Sequence, residues 1–532
     1  MRARGTVPAS VLAGVVPGAL ASALALTFAV VALAVWRAAC VRAGPDIDTD
    51  AYAHHMIARA ILADPGDLAV HWVWLPLFHY LQVPFVAAGG TMDGVRWFNV
   101  ALTAVLPIVL FQYVRVTSRR RGPARAALSP DGVALLAALV AATCPIAMQM
   151  GTTAQPEPLF ALVMLLLAIA YEEGRTGTAA ALLSAAVLLR YEAWASLAAI
   201  AAIQIGARLA AMARVRSWGR LTGSPARRSP DGWLVVAAPV TLILAWAALR
   251  RPVDGQWFGF VRQTHEFANQ VAGSQGGAPW RGVGGLAGDL LYYPVFVAWR
   301  VMGPALPLAA LGIARTVREQ GARFVVVLAA CLAFVTLSWM RRSSLGLDRH
   351  FVVVVPLYAV FAAQGAAVVA DAAARVARSR LGEGAAAVAG RATGGVLAVA
   401  CVAGMCVVLQ VWMGFWRGSV ARGWPEREAV GAALRALPGP ATIFCDDATL
   451  EILSGLDRRR FDRHWLDDPA TWDRVEQVAR TDGGAYVATW RRKVAAHEDE
   501  GVVVLRAGAL PDDPLAGVEI LRVDPDGGRA AR

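Results

Sequence analysis

A small set of residues in this chain has side chains and spacings suited to chemistry: Asp48, Asp50, His54, Glu157, Arg190, Glu192, Arg349 and His350. The stretch GPDIDTDAYAHHMIARAIL places Asp46, Asp48 and Asp50 at alternate positions. In an extended segment residues two apart point the same way, so the three carboxylates would line one side. Like charges held that close raise at least one pKa, which suits a general base. The D-x-D-x-D pattern also opens an EF-hand loop, which needs glycine at its sixth position and glutamate at its twelfth. Ala51 and Ile57 stand there, so the EF-hand is excluded and only a looser divalent site is left. The following run has helical spacing, with Met56, Ile57, Ala60 and Ile61 on one face and Thr49 or Asp50 as N-cap. Asp50 and His54 then lie one turn apart on one side of that helix. A solvated acidic cap is the plain alternative.

Glu157, in GTTAQPEPLF, sits between two apolar runs. An acid at a bilayer boundary is a functional candidate by default. A simple helix start competes with that reading, because a first-turn glutamate suits the helix dipole. LLRYEAW sets Arg190 and Glu192 between two further apolar runs, where they must pair or face water. Their alternative is an ion pair that only ties two helices together. RRSSLGLDRHF gathers Arg341, Arg342, Arg349 and His350 ahead of a late apolar run. A lipid phosphate is a fitting partner for such cations, and snorkelling at a helix end is the bland one. If a divalent cation takes part, Asp48, Asp50 and Glu157 are the carboxylates available to it. The segment RPVDGQWFGFVRQTHEFANQ interleaves aromatics with Arg262, His265 and Glu266, as an amphipathic lid or acceptor groove would.

The elements that must position these groups are membrane spans. Of 532 residues, 57% are hydrophobic and 17% charged, where a soluble chain carries about 25% charged. Gly5 to Trp36 is free of charge, longer than the roughly 20 apolar residues a bilayer needs. It is too long for a signal-peptide core, and no good cleavage site follows. Spans are expected near 9–36, 95–114, 132–150, 157–172, 178–189, 193–210, 232–249, 290–312, 324–340, 350–370 and 393–416. The net charge of +12 is almost all arginine, with Lys493 the one lysine. Arginines cluster between spans, around Arg115–Arg125, Arg208–Arg228, Arg315–Arg323 and Arg375–Arg391. Dispersed in this way they set topology rather than bind nucleic acid. All four clusters fall inside if the N-terminus is cytoplasmic and the C-terminus external. WLPLFHYLQVPFVAAGG is short and interrupted by proline, and is expected to be interfacial or re-entrant on the outer face.

From Trp424 onward charge rises and alternation appears. ATIFCDD, GAYVATW, GVVVLRAG and VEILRV read as strands and PATWDRVEQVAR as a helix. The domain division expected is a transmembrane region over 1–416 and a small extracytoplasmic α/β domain over 417–532, its last residues disordered. The overall fold class is a mainly α polytopic membrane protein of about 11 transmembrane helices. The six cysteines show no zinc spacing or disulfide framework. No Walker A loop, dinucleotide fingerprint or HExxH is present, and the inner loops are too short for a nucleotide-using domain.

The chain resembles the GT-C glycosyltransferases, integral-membrane enzymes that use polyprenyl-phosphate sugars. Within them it is most similar to the protein O-mannosyltransferase and aminoarabinose-transferase group, family 39-like. Four motifs carry the likeness, in order: DIDTDAYAHHMIARAIL after the first span, WLPLFHYLQVPF, AQPEPLFALVMLLLAIA opening the fourth span, and DRHFVVVVPLYAVFAA entering a late one. The RYE after the fifth span looks like the arginine–x–glutamate of many bacterial members. The likeness covers roughly residues 7–416. It implies a catalytic carboxylate in the first outer loop, falling on Asp50. A second acid follows in many members; Ala51 stands there, so Asp48 is the alternative base. His54, Glu157, Arg190, Glu192, Arg349 and His350 are then expected to bind substrate.

The resemblance also implies an inverting transfer from a polyprenyl-phosphate-linked sugar, with mannosyl transfer as the type. The acceptor is a protein, lipid or polysaccharide hydroxyl, outside a bacterial plasma membrane. The chemistry fits these residues. A base removes the acceptor's proton, and cations or a metal meet the charge on the leaving phosphate. A transporter or flippase is the competing class, with Glu157, Arg190 and Glu192 as a midplane relay. It predicts broken helices and repeat-related halves. A membrane scaffold or sensor is a third.

Overall fold

The computed structural model describes residues 9–89, 91–122, 126–218, 230–274, 285–463, 466, 469–494, 497, 502–507 and 517–525. The chain divides into two compact units, one of residues 1–44 with 60–412 and the other of 45–59 with 413–532. Two helices, α1 (Ala9–Ala43) and α2 (Thr49–Ala63), open the chain. Next come α3 (Leu77–Ala87), α4 (Met92–Arg121), α5 (Pro130–Ala142), α6 (Pro145–Met150), α7 (Glu157–Glu172), α8 (Thr176–Leu189) and α9 (Glu192–Trp218). They are followed by α10 (Leu234–Asp254), α11 (Gly259–Ser274), α12 (Gly285–Leu291), α13 (Ala298–Met302), α14 (Ala305–Gln320) and α15 (Ala322–Met340). The long helices α16 (Val355–Leu381) and α17 (Glu383–Ala436) come last in the membrane region.

The chain is mainly helical and polytopic. Seven helical segments among the described residues are long and apolar enough to cross a membrane. They correspond to the expected spans near 9–36, 95–114, 193–210, 232–249, 324–340, 350–370 and 393–416. Leu20, Leu24, Phe28, Val31 and Val35 are all exposed along α1, as a hydrocarbon-facing helix requires.

The other four expected spans take different forms. Segment 157–172 coincides with α7, and 178–189 lies within the 14-residue α8. The single helix expected over 132–150 is broken: α5 ends at Ala142 and α6 restarts at Pro145, whose ring cannot accept a helix interior. The one expected over 290–312 is broken twice. Tyr292–Val297 is a π-helical turn, and Gly303, at φ +42°, precedes Pro304 and separates α13 from α14. Cys144 Sγ lies 3.7 Å from Val301 O, so the two broken segments meet. WLPLFHYLQVPF forms α3, whose 11 residues extend about 16 Å, short of a crossing.

The segment Asp348–Leu381, which contains α16, is the most buried of the seven. It packs on α14 through two glycines. A Cβ on Gly365 would overlap Leu308 O, and one on Gly312 would overlap Phe361 O. Backbones this close exclude any side chain, the usual use of small residues between membrane helices. Below this contact Arg315 binds Glu319 (2.7 Å) and Asp371 (2.6 Å), while Gln364 donates to Glu319 Oε2 (3.0 Å).

The other unit holds a five-stranded sheet of β1 (Ile443–Phe444), β2 (Phe461–Asp462), β3 (Ala485–Trp490), β4 (Val502–Ala507) and β5 (Val518–Val523). The order is β2-β1-β3-β5-β4. β1 is parallel to both β2 and β3, with Ile443 opposite Tyr486, and β5 is antiparallel to β3 and β4. The four expected strand regions are present; β2, in the polar stretch after Arg460, was not expected. Alternation sends Phe444, Val487 and Leu521 to one face, under Trp472 and Val475 of the helix Pro469–Asp482. Ile443, Tyr486 and Ile520 face Val430 and Leu434 of α17 on the other. Lys493 pairs with Asp446 (2.7 Å), and Thr489 donates to the same carboxylate (2.6 Å), across the carboxyl ends of β1 and β3. The terminal segment expected to be disordered lies outside the described residues from 526 on.

Candidate active site

α7 begins at Glu157 because the preceding loop is held from α4. Arg96 Nε donates to Thr152 O (2.8 Å), and Asn99 Nδ2 donates to Thr153 O (2.7 Å) and Gln155 O (2.8 Å). Arg96 Nη1 also reaches Gly44 O (2.8 Å) at the end of α1. Gly151 fits only without a side chain, since a Cβ there would press on Thr103 and Arg37. These contacts fix where the Glu157 carboxylate enters the bundle.

Arg190 caps the C-terminus of α8, and Glu192 opens α9, so the RYE turn joins two helices. Glu192 is anchored against α15, where Cys331 Sγ lies 3.6 Å from Glu192 O and Ser196 donates to Val327 O (2.7 Å). Arg349 and His350 lie on a 3-10 turn, Asp348–Val354, ahead of α16. That turn is clamped from the π-helical segment: Tyr292 Oη donates to Gly346 O (2.9 Å) and Tyr293 Oη to Leu347 O (3.2 Å). Tyr292 stacks on Trp339, whose ring leaves no room for a side chain at Gly346.

Three segments meet at Arg190: the start of α7, the RYE turn and the 3-10 turn before α16. Its Nη1 donates to Glu157 Oε1 (2.6 Å), and Nε and Nη2 both donate to Glu192 Oε1 (3.1 and 2.8 Å). Nη2 also lies 2.8 Å from His350 Nδ1, which is 3.1 Å from Glu192 Oε1. Arg349 Nε comes within 3.6 Å of Glu157 Oε1. The Glu157 and Glu192 side chains are only 3% and 5% exposed. Burial opposes charge on Arg190, and Glu192 and Glu157 outweigh it, so its pKa is raised. Glu157 Oε2 is buried without a hydrogen-bond partner, an unsatisfied acceptor at the centre of the cluster.

This gathers Glu157, Arg190, Glu192, Arg349 and His350, all expected from sequence. Arg341 and Arg342 are exposed after α15 and are not among the five. Arg96, Asn99, Tyr292 and Tyr293 were not singled out. An arginine and an asparagine one helical turn apart at the head of an apolar run, in MDGVRWFNV, were the available signal for the first two.

Asp48 and Asp50 belong to the other unit. α2 starts at Thr49, so the expected N-cap at Thr49 or Asp50 is replaced by Asp48, whose Oδ1 accepts from Asp50 N–H (3.1 Å). Asp46 Oδ1 accepts from Asp48 N–H (3.0 Å), and Tyr52 Oη donates to Asp46 O (2.9 Å). The expected extended stretch is instead a turn leading into α2, so the three carboxylates do not share the alternation expected of a strand. Asp50 lies in the first turn of α2 with His54 one turn on. No group of three or more His, Cys, Asp or Glu that could hold a metal ion occurs among the described residues. Glu157 has two guanidinium groups beside its carboxylate and does not fit a cation ligand.

A further buried pair, His71 and His79, was not expected. Their Nδ1 atoms are 2.8 Å apart, with Trp246 edge-on to His71. Arg250 anchors the same loop by donating to Leu68 O (2.8 Å) while paired with Asp254.

No family model and no curated protein matches this chain. Solved structures that it is similar to include ArnT from Cupriavidus metallidurans bound to undecaprenyl phosphate. That likeness has a TM-score of 0.45 and 14% identity and covers 90% of this chain and 93% of that one. The apo ArnT from the same organism gives a TM-score of 0.46 and 15% identity, covering 92% of this chain and 95% of that one.

Proposed function

We propose that this protein is an inverting membrane glycosyltransferase of GT-C type that moves a sugar from a polyprenyl-phosphate donor to an acceptor hydroxyl outside the plasma membrane. The observation that carries this reading is the buried assembly of Glu157, Arg190, Glu192, Arg349 and His350 from three separate segments. Ionisable groups this costly to bury among membrane helices are retained for a substrate. Asp50, in the first turn of α2, or Asp48 just before it, takes the acceptor's proton as its oxygen attacks the anomeric carbon. The bond from that carbon to the phosphate oxygen breaks, and Arg349 and His350 meet the charge left on the lipid phosphate.

The test is sugar transfer in membranes from polyprenyl-phosphate donors by Asp50→Asn and Asp48→Asn. One substitution is expected to lower kcat by about 10²-fold or more, the scale of a lost general base; full activity in both removes the mechanism. A second reading, a transporter or flippase for a lipid-linked or anionic substrate, draws on the breaks at 143–144 and 303–304, since transporters place broken helices at their binding sites. Donor-lipid translocation in vesicles without sugar transfer would favour it.

A further inference from the structure

We infer that Arg190 fixes His350 as a neutral imidazole protonated at Nε2, so that His350 offers a hydrogen-bond donor, and not a proton acceptor, to a phosphate oxygen of the donor lipid. The inference rests on the glycosyltransferase reading for its ligand and on geometry for its proton. A guanidinium has donors only. Nη2 of Arg190 lies 2.8 Å from His350 Nδ1, too close for two N–H groups to face each other. Nδ1 is therefore the acceptor, and the ring's one proton is on Nε2. Glu192 Oε1, 3.1 Å from the same Nδ1, competes for an N–H there. It is already satisfied by Nε and Nη2 of Arg190.

The charges support the same division of labour. Arg190 and Arg349 balance Glu157 and Glu192, so with His350 neutral the five groups sum to zero. Arg190, 14% exposed and bound on both sides, is spent on positioning. His350 is 22% exposed, and ring geometry turns its Nε2 away from both Arg190 and Glu192. The groups facing Nδ1 are Arg190 and Glu192, with Arg349 on the same turn. An imidazolium would need Arg190 to withdraw.

The first test is the ring ¹⁵N signature of His350 in the full chain, assigned by its loss in His350→Gln. A bare Nδ1 and protonated Nε2, unchanged between about pH 6 and pH 8, is expected; a protonated Nδ1 overturns the inference. Arg190→Met should let Nδ1 take a proton toward Glu192, which a merely structural arginine would not cause. The second test is binding of undecaprenyl phosphate to purified protein. Glutamine places its amide near the Nε2 position and asparagine near Nδ1. His350→Gln should bind within about threefold of the unsubstituted protein, and His350→Asn and His350→Ala about ten- to a hundredfold more weakly. Equal binding by all three, or asparagine better than glutamine, overturns the donor role. So does equal competition by phosphatidylglycerol, which would mark a general headgroup contact. If the unsubstituted protein binds no undecaprenyl phosphate, the donor role and the glycosyltransferase reading fall together, while the ¹⁵N signature still decides the proton. Binding without sugar transfer overturns only the latter reading.

Discussion

Arg190→Met tests whether the buried cluster is a mutually dependent unit. Methionine keeps much of the arginine stem and removes the charge. Glu157 and Glu192, 3% and 5% exposed, then lose a guanidinium that makes hydrogen bonds to both. Removing one partner of a buried ion pair costs about 3–5 kcal/mol, because the remaining charge stays desolvated. Arg349, 3.6 Å from Glu157, offsets part of this for one carboxylate, which puts the expectation near the lower end, about 3 kcal/mol. That is roughly a 150-fold shift in the folding equilibrium. The assay is unfolding in mixed detergent micelles with rising denaturing detergent, followed by tryptophan fluorescence. The double substitution Arg190→Met and Glu192→Gln should recover most of the loss, since Arg349 stays beside Glu157 and the buried charges again balance. Arg190→Met within about 1 kcal/mol of the unsubstituted protein would refute the reasoning and mark the cluster as hydrated and loosely coupled.

Gly365→Ala puts a methyl into Leu308 O between α14 and α16, and should cost at least about 1–3 kcal/mol by overpacking in the same assay, while Gly395→Ala, with open space around it, should not. Burial, and then Arg250, pushes His71 down to about 3. The unfolded chain therefore binds a proton from about pH 6.5 downward that the native state refuses. Stability from this group is complete above that pH and falls as pH drops toward 3, by up to about 1.4 kcal/mol per unit. Unfolding between about pH 7 and 5 should show that slope, and His71→Phe should reduce it. His55, pushed down to about 4 by burial and Arg59, adds a slope of the same sign that His71→Phe leaves in place. Asp48→Ala removes the side-chain acceptor for Asp50 N–H and should cost about 1 kcal/mol of α2 stability, whereas Asp50→Asn should lower transfer.

Much of this protein is written locally. Apolar runs longer than a bilayer need no partner to become helices, because hydrocarbon leaves the backbone no other way to satisfy its hydrogen bonds. Period-two alternation likewise announces β3 and β5, whose faces meet different helices. Asp48, Asp50, Glu157, Arg190, Glu192, Arg349 and His350 stand out because charge beside apolar runs is costly and therefore rare. Tertiary structure decided what those residues do to one another. Glu157 and Arg190 are 33 residues apart, and Arg190 and His350 160, so no periodicity could pair them. The breaks at Cys144 and Gly303, the clamp of Tyr292 and Tyr293 on the turn before Arg349, and the hold of Arg96 and Asn99 on the loop before Glu157 depend on distant partners. Which nitrogen of His350 carries the proton is set by an arginine that only the fold brings within hydrogen-bond reach.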